Sequence, residues 1–572
     1  MATALNTGTR DIPLQFAKQL TDIVNQEWEQ GTFMQKVNNR NKWSLSVGCI
    51  GRDLCYTLVS LFLLTYLQFT GLFNTSQFLV LSVIIVICRV WDAINDPMMG
   101  TIITNTKTRF GKYRPWVLIG AISNAIFLVL MFTIRLQNGW ANVAVIGTSY
   151  LLWGMTYTMN DISYWDLLPA LTNNKKERDN LTSLVAVFAS VGAFASGGLV
   201  PILTPGRMVL AYRVIAIVAA LVFLGCQLLV FFGVHDNKHD KFMEPKEDVM
   251  SEVKEEKVSL KGMVKILTSN KQLMVMAVVV FLYSLGSAIL NAFGQNFFYF
   301  KFGYLSSADG TMAGGTMMTI FTVIYGVGTL ASQAIYPALA NKFKRDVLVK
   351  YSMILIVAGY TIFFFIANLL NGMLCFIILC ILGVFIFAGQ GVFYLTMLVM
   401  LTNTIEYGEW KTGKNNAAIA FTVRPFMVKL SGAVQYGVVA ITLIICGLYS
   451  ITNAVGDVEV AIGMLNEGET LANCLKYIEE SKNAHNMLIV NGYLATNLDN
   501  PVVGLQQYAS SLFVATAPSI WGLTAVMCVA PMIMFAIAWI VLKKKYIINE
   551  EMYEKILADI AARKVNEIKV EE

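Results

Sequence analysis

The sequence predicts an all-α membrane protein with about twelve transmembrane helices in two pseudo-symmetric six-helix bundles. Of its 572 residues, 56% are hydrophobic and only 14% are charged, which is too apolar for an ordinary soluble protein of this length. The apolar residues also fall into runs close to the roughly 20 residues with which a helix crosses ~30 Å of hydrocarbon. We therefore expect a multi-pass protein of the cell membrane, either plasma or inner, with the lipid bilayer as its solvent.

Six apolar runs of spanning length precede a charged linker, and six more follow it. The first set lies at about 44–66, 77–100, 116–136, 142–168, 181–203 and 209–233, and the second at about 273–299, 314–338, 348–368, 372–400, 417–450 and 517–542. The predicted domains are an N-terminal tail (1–43), a first bundle (44–233), a linker (234–272), a second bundle (273–542) and a C-terminal tail (543–572). An acidic stretch at about 453–515 interrupts the second bundle. We expect a plain surface insertion there in preference to a small helical cap.

Positive charge is concentrated in the connections on one side of the predicted bundle. Lysine and arginine cluster at 107–114, 175–178, 342–345 and 543–545. The positive-inside rule makes these connections cytoplasmic, so both termini and the linker are predicted inside and the insertion outside. Arg207 and Arg213, near an outward connection, weaken this asymmetry without reversing it.

The two halves resemble each other weakly, which is typical of secondary transporters with a midplane site. The segment RFGKYR at 109–114 has a counterpart in KFKR at 342–345. The sequence has no glycine-rich phosphate loop, and no nucleophile–base or metal-ligand spacing indicates an enzyme or a resident cofactor. We expect a transporter, functioning as a monomer and without nucleic-acid partners.

Ionisable residues inside the predicted helices are the candidate functional residues, because a charge in hydrocarbon costs several kcal/mol. The set is Arg52, Asp53, Arg89, Asp92, Asp96, Asp161, Asp166, Arg424 and Lys429. At 1.5 Å rise per residue, Asp53, Asp92, Asp161 and Lys429 lie roughly 13–18 Å from the cytoplasmic ends of their helices. These four charges are therefore predicted to surround one water-accessible chamber.

Asp92 and Asp96 are four residues apart, so both carboxylates lie on one helix face. Two buried anions this close need a counter-charge, which a bound Na⁺ or Li⁺, a shared proton or Lys429 could each supply. Thr158 offers a hydroxyl at similar depth. The alternative is purely structural, with Arg89 or Lys429 neutralising the pair. All three histidines lie outside the predicted helices, which leaves carboxylates as the coupling groups.

Asp53 and Asp161 are isolated carboxylates that suit a polyhydroxy ligand, since one carboxylate can accept hydrogen bonds from two hydroxyl groups. Tyr164 and Trp165 follow Asp161 by one helical turn and could present an apolar ring face with a polar edge. Taken alone, an aromatic pair in a membrane helix is more often packing. Its position beside Asp161 favours a small sugar or glycoside as the ligand.

Four segments resemble the melibiose-carrier family, the glycoside–pentoside–hexuronide:cation symporters of the major facilitator superfamily. They are RVWDAINDPMMG at 89–100, TRFGKYRPWVLIG at 108–120, WGMTYTMNDISYW at 153–165 and EYGEWKTG at 406–413. The resemblance implies sugar uptake coupled to Na⁺, Li⁺ or H⁺ by alternating access. It implies a cation site at Asp92, Asp96 and Thr158, and sugar contacts at Asp53, Asp161 and Trp165. Lys429 would lie near both sites, and Glu406 and Glu409 would be gating charges.

Two departures from the family pattern bear on the substrate. Ala186 stands where the melibiose carrier has a sugar-binding arginine, and Arg424 stands where it has a glutamine. We therefore expect a sugar other than melibiose. Arg424 could bind a uronic acid carboxylate, or it could simply be compensated by Asp53 or a loop carboxylate. Rival functions on this fold are a lysolipid carrier and a sensor that no longer transports.

Overall fold

The computed structural model describes residues 37–172, 175–235, 267–305, 312–413, 417–481 and 483–571. Most of the predicted N-terminal tail, residues 1–36, and most of the predicted linker, residues 236–266, lie outside the described residues.

Six long helices form the first half of the described chain. They are α1 (Asn39–Gln68), α2 (Thr75–Thr104), α3 (Arg114–Thr133), α4 (Gly139–Leu171), α5 (Lys175–Leu203) and α6 (Met208–Gly233). The start of α2 shows why the helices begin where they do. The side chain of Asn74 accepts a hydrogen bond from the backbone of Gln77, whose side chain accepts one from the backbone of Asn74. This capping box satisfies two amide groups that a helix start leaves unpaired.

The second half has the same number of long helical spans. They are α7 (Lys271–Phe302), α8 (Gly314–Lys342), α9 (Arg345–Leu369), α10 (Gly372–Thr412), α11 (Ala417–Ile445) and a twelfth span, Ala517–Lys545. This last span consists of α16 (Ala517–Thr524), a π turn (Ala525–Val529) and α17 (Ala530–Lys545). The predicted order of helices is therefore confirmed, although α1 begins five residues before the predicted position 44.

Eleven of the helical spans in the described residues are long and apolar enough to cross a membrane. The exception among the twelve is α4, which has 33 residues but is not apolar enough to be counted, since hydroxyl, amide and carboxylate side chains interrupt it. Because polar residues in a spanning helix mark functional surfaces, α4 is the first helix to inspect for a site.

Helix packing places α2 and α11 at the boundary between the halves. Within the first half, α1 packs against α5 and α6, and α3 packs against α4 and α6. Within the second half, α7 packs against α11 and the twelfth span. Two pairs cross the boundary extensively, α2 with α11 and α5 with α8. A side chain on α2 can therefore meet one on α11 without leaving the protein interior.

Between α11 and the twelfth span lies a group of four helices, which we call the cap. They are α12 (Leu448–Asn466), α13 (Leu471–Glu479), α14 (Met487–Ala495) and α15 (Pro501–Leu512). The carboxylate of Asp457 in α12 lies 2.7 Å from the Asn483 amide nitrogen and 3.2 Å from Nε2 of His485. These contacts tie α12 to the segment between α13 and α14. Because four helices form this region, it is a small helical cap, and the prediction of a plain surface insertion is wrong. We call this end of the bundle the cap side.

A further helix, α18 (Glu550–Glu571), occupies most of the predicted C-terminal tail. Its Glu550 accepts a hydrogen bond from the backbone of Arg345 at 2.9 Å. Trp410, near the end of α10, donates its indole hydrogen to Asp559 at 2.9 Å. The helix is therefore docked on the end of the bundle opposite the cap.

Candidate functional site

Arg52 joins two of the predicted substrate-binding carboxylates. Its guanidinium group lies 2.9 Å from Asp53 on the same helix and 3.1 Å from Asp161 on α4. The arginine side chain is 2% exposed, whereas Asp53 and Asp161 are 23% and 35% exposed. The two carboxylates are thus held beside one buried cation while oxygen atoms remain accessible for a ligand. Arg52 is one of the charges in the predicted helices. The sequence shows that Arg52 is next to Asp53, but it does not show that the guanidinium group also pairs with Asp161 on another helix.

Tyr164 and Trp165 form the surroundings of Arg52. The guanidinium carbon lies 4.6 Å from the ring centroid of Tyr164 and 4.8 Å from that of Trp165. Trp165 also donates its indole hydrogen to Asp161 at 3.1 Å. Tyr164 is fully buried, and its hydroxyl donates to the carbonyl of Leu45. In this conformation Tyr164 supports Arg52 through a cation–π contact, and its predicted contact with substrate stays a prediction.

Asp96 lies at the centre of a second polar group that crosses the boundary between the halves. The ammonium group of Lys429 on α11 donates a hydrogen bond to one Asp96 oxygen. The hydroxyl of Thr158 on α4 donates to the other at 3.2 Å. The structure therefore brings together two of the three predicted cation ligands and adds an ammonium group to them.

Asp92 is the third predicted cation ligand, and its position depends on a glycine. A β-carbon at Gly154 would lie 2.4 Å from Oδ1 of Asp92, so only glycine allows the carboxylate to approach α4 this closely. Asp92 is 6% exposed, and within the described part of the chain its Oδ1 has no hydrogen-bond partner. A buried, unpaired carboxylate oxygen is costly unless something binds it. This oxygen fits a cation ligand.

Arg89 occupies an aromatic cage next to Asp92. Its guanidinium carbon lies between 5.4 and 5.8 Å from the ring centroids of Tyr56, Tyr150 and Tyr436. It interacts electrostatically with Asp92 without forming an ion pair within 4 Å among the described residues. Arg89 therefore balances part of the charge of Asp92 but leaves its oxygen unpaired.

The two polar groups share helix α4. Asp161 belongs to the Arg52 group, and among the described residues no hydrogen bond or ion pair joins it to Lys429 or Asp96. Its neighbour on the same helix, Thr158, is one turn away and bonds to Asp96. The structure thus brings the predicted charges of α1, α2, α4 and α11 into one connected region, as their depths in the sequence suggested.

Arg424 lies apart from these two groups, on the second half of the protein. It is exposed, and its guanidinium donates to the hydroxyl of Tyr394 on α10. Both α10 and α11 pack on α7, and the twelfth span also packs on α7. Among the described residues no carboxylate lies within 4 Å of Arg424, and Asp53 is already paired with Arg52. Compensation by Asp53 is therefore not observed.

The two predicted gating residues lie near the end of α10. Glu406 has one carboxylate oxygen that is buried without a hydrogen-bond partner in the described residues. The backbone carbonyl of Glu409 accepts a hydrogen bond from Gly413 at 2.8 Å. Arg345, the first residue of α9, forms an ion pair with Glu550 of α18 at 3.6 Å. A gating role for Glu406 and Glu409 stays a prediction.

Sequence comparison places the chain in a family. The sequence profile of the MFS/sugar transport protein family matches residues 44–464, which is most of the chain. The chain belongs to the MFS sugar-transport protein family. Family membership confirms the predicted likeness to the melibiose carrier and the prediction of a transporter rather than an enzyme.

Several curated proteins resemble this family member. The chain is 27% identical over 430 residues to a lactose permease of Lactobacillus delbrueckii subsp. bulgaricus, covering 71% of this chain and 63% of that protein. It is 26% identical to a raffinose carrier protein of Pediococcus pentosaceus, covering 73% and 64%. It is also 24% identical to a glucuronide carrier protein homolog of Escherichia coli K12, covering 75% and 88%. The matches therefore span somewhat less than two thirds of the lactose and raffinose carriers.

Comparison with solved structures agrees on the fold. A bacterial homolog of the human lysosomal transporter Spinster, in an inward-facing and unoccupied conformation, aligns with a TM-score of 0.52 at 9% identity. The alignment covers 88% of this chain and 97% of that one. At this identity the likeness concerns the fold alone.

Proposed function

We propose that this family member is a secondary active symporter that couples the uptake of a sugar to a monovalent cation by alternating access. The observation that carries the proposal is that Asp161 and Thr158 lie one turn apart on α4, which places a candidate sugar site beside a candidate cation site. Arg52 pairs with Asp161, Thr158 donates to Asp96, and Lys429 adds the opposite half of the protein.

The cation site consists of Asp92, Asp96 and Thr158. Two carboxylates and a hydroxyl are oxygen ligands, which suit a hard cation such as Na⁺ or Li⁺, and the same carboxylates could instead share a proton. The unpaired Oδ1 of Asp92 supports this assignment, because a ligand would satisfy it. Lys429 would compete with the cation for Asp96.

The sugar site consists of Asp53, Asp161 and Trp165, positioned by Arg52. The two carboxylates are partly exposed and can accept hydrogen bonds from sugar hydroxyl groups. The Trp165 ring supplies an apolar face, and its indole hydrogen fixes Asp161. A glycoside, pentoside or hexuronide matches this chemistry, and the names of the relatives point to di- or oligosaccharides.

Coupling needs each ligand to favour the same state of the protein. A cation at Asp96 would displace the ammonium of Lys429, which is a contact between the two halves. It would also hold α2 against α4, which carries Asp161. Binding of the cation would thus order the sugar site while freeing the halves to move.

Uptake into proteoliposomes tests the proposal. Labelled lactose, raffinose and a glucuronide would be offered with an inward gradient of Na⁺, Li⁺ or H⁺, or with none. We expect accumulation of at least one sugar only with a gradient, and we expect Asp92→Cys to abolish it while leaving sugar exchange. Gradient-driven accumulation that is unimpaired in Asp92→Cys would contradict the cation site.

The same assay separates the rival functions. A lysolipid carrier would move labelled lysophospholipid and no sugar, whereas a sensor would bind sugar without accumulating it. Two partly exposed carboxylates beside Arg52 favour a hydroxyl-rich ligand over a lipid. We further propose a cell-membrane location with cytoplasmic termini and a monomeric state.

A further inference from the structure

A buried carboxylate of the cap joins the two halves of the protein. Glu459 in α12 is fully buried. One oxygen accepts a hydrogen bond from the backbone nitrogen of Met208 at 2.7 Å, and the other accepts one from the hydroxyl of Tyr304 at 2.5 Å. Met208 begins α6 in the first half, whereas Tyr304 follows α7 in the second.

The start of α6 depends on Glu459. Its N-cap residue, Arg207, makes no side-chain capping hydrogen bond. The Glu459 carboxylate takes over that role, because it satisfies a free amide and places a negative charge at the positive end of the helix dipole. The hydroxyl of Tyr304 in turn accepts a hydrogen bond from the backbone of Gly206 at 3.3 Å.

An aromatic cluster reinforces this junction. Phe69, at the end of α1, stacks on Tyr304 of the second half, with ring centroids 5.8 Å apart. Phe513, directly after α15, packs against both of these rings, at 5.9 Å from Phe69 and 5.0 Å from Tyr304, and also stacks on Phe300 at 4.3 Å. The cap therefore contributes one ring and one carboxylate to the junction of the halves at this end of the bundle.

We propose that the cap is a clasp that holds the two halves together on the cap side, and that Glu459 must release Met208 or Tyr304 before that side can open. The alternating-access movement, on which this inference rests as part of the proposed function, would separate the halves at this end and would break at least one of the two contacts of Glu459. Glu459 is thus a gate residue outside the membrane-spanning helices and distinct from the symport sites.

The clasp is expected to respond to pH. Burial raises the pKa of Glu459 to about 7, against about 4.3 for an ordinary glutamate. Within the described residues no cation lowers the pKa of Glu459, and the groups that stabilise its carboxylate are neutral hydrogen-bond donors. The other ionisable groups on the surrounding elements already have partners. Tyr304 donates to Glu459 itself, and Tyr299 accepts a hydrogen bond from Gln295. Arg207 donates to the Leu203 carbonyl, Arg213 pairs with Glu467, and Asp457 pairs with His485.

The direction of the pH effect follows from linkage. Glu459 binds a proton more tightly in the closed clasp than in the open one, where it would be exposed to water. Protonation therefore favours the closed state, and this advantage grows as the pH falls from about 7 towards the ordinary glutamate pKa. Opening on the cap side becomes easier as the pH rises through this range.

Thiol labelling tests the clasp without any need for substrate. The reporter is Ser60→Cys, since the Ser60 carbonyl accepts a hydrogen bond from Tyr436 of the other half at 2.9 Å and lies at the boundary that must open. A membrane-impermeant methanethiosulfonate is added to vesicles, and a separate Leu488→Cys variant on the exposed cap surface identifies the cap side. The protein without the reporter corrects for native cysteines.

We expect Glu459→Ala to raise the labelling rate of the reporter from the cap side roughly tenfold, the effect of losing a hydrogen bond to a charged group. The matched control is Glu480→Gln, an exposed cap residue paired only with Lys476 in the described residues, which should leave the rate unchanged. Equal rates in Glu459→Ala and the control would overturn the clasp.

Glu459→Gln, which resembles the protonated form, tests the pH response and is the substitution least disruptive to folding. The labelling rate of the reporter is measured with native Glu459 and with Glu459→Gln, and the first rate is divided by the second. The pH dependence of the reporter thiol's own reactivity is common to both rates and cancels in this ratio. This ratio should rise between about pH 5 and pH 8. A ratio that is flat over this range would overturn the assignment of Glu459 as the titrating group.

Discussion

Lys429 on α11 donates a hydrogen bond to Asp96 on α2, so an ion pair connects the two halves of the transporter inside the membrane. Both side chains are 28% exposed, so the pair is not sealed by the protein around it. The sequence allowed a bound cation, a shared proton or Lys429 as the counter-charge of Asp92 and Asp96. In this conformation Lys429 is the counter-charge, and it pairs with Asp96 and not with Asp92. The carboxylate of Asp92 remains available.

Removing the ammonium group should strengthen cation binding and abolish coupling. In Lys429→Met no ammonium competes for Asp96, and two nearby carboxylates then bind Na⁺ or a proton more tightly, by roughly tenfold or more. Isothermal titration with Na⁺ measures the affinity, and gradient-driven uptake measures the coupling. Weaker Na⁺ binding in Lys429→Met than in the native protein would contradict competition between the ammonium group and the cation.

Gly154→Ala should disable the cation site without changing any charge. The added β-carbon would lie 2.4 Å from Oδ1 of Asp92 and force the carboxylate away from α4. We expect cation-stimulated uptake to fall at least tenfold. The matched control is Gly225→Ala on α6, where an added β-carbon has no neighbour within 4 Å. Equal losses in the two variants would show that the effect is not specific to Asp92.

Arg52→Gln should destabilise the protein because it leaves Asp53 and Asp161 close together without their shared cation. Removing one partner of a fully buried ion pair typically costs about 3–5 kcal/mol, and the cost here should be smaller because Asp53 and Asp161 are 23% and 35% exposed. The double variant Arg52→Gln with Asp161→Asn removes one of the stranded charges and should recover much of this loss. Thermal unfolding in detergent measures both, and the absence of any recovery would exclude charge as the reason for the instability.

Arg424 should favour an anionic sugar. Among the described residues no carboxylate lies within 4 Å of Arg424, whereas Arg52 and Lys429 are each paired with a carboxylate. A uronic acid carboxylate could neutralise the Arg424 guanidinium through a bidentate contact.

Competition between a labelled glucuronide and an unlabelled neutral glycoside checks this charge argument. Arg424→Gln should lower the apparent affinity for the glucuronide by about tenfold or more, the scale of a charge-assisted hydrogen bond. Its affinity for the neutral glycoside should change little. If both affinities fall equally, Arg424 does not select for a negatively charged substrate.

Acid should release α18 from the end of the bundle. Partial burial raises the pKa of Glu550, but the backbone amides of Arg345 and Glu550 and the charges of Arg345 and Lys344 outweigh burial and lower this pKa. A lowered pKa in the docked state means that docking is supported above the ordinary glutamate pKa of about 4.3 and is lost as the pH falls below it.

Trp410 donates a hydrogen bond to Asp559 of α18, so its fluorescence should change when α18 is released. The Trp410 signal is obtained by subtracting the fluorescence of Trp410→Phe from that of the native protein. Glu550→Gln should weaken docking at neutral pH and remove the part of the acid transition due to this carboxylate. A transition that is unchanged in Glu550→Gln would assign the acid response to another group.

The sequence by itself determined the order of the spanning helices and the level of the buried charges. Both depend on local physics: apolar runs must match the thickness of the bilayer, and a charge within such a run is costly enough to indicate function. Asp92, Asp96 and Thr158 could be grouped in this way. The family resemblance then suggested a role for each of them.

Tertiary structure alone decided which charges pair. Arg52 bridges Asp53 and Asp161, Lys429 selects Asp96 over Asp92, and Gly154 makes room for a carboxylate from another helix. Only the folded structure shows that the cap joins the two halves, since Glu459 accepts hydrogen bonds from both Met208 and Tyr304. The physical reason is that depth along a helix can be read from residue number, whereas the neighbours of a side chain depend on the rotation and packing of helices far apart in the chain.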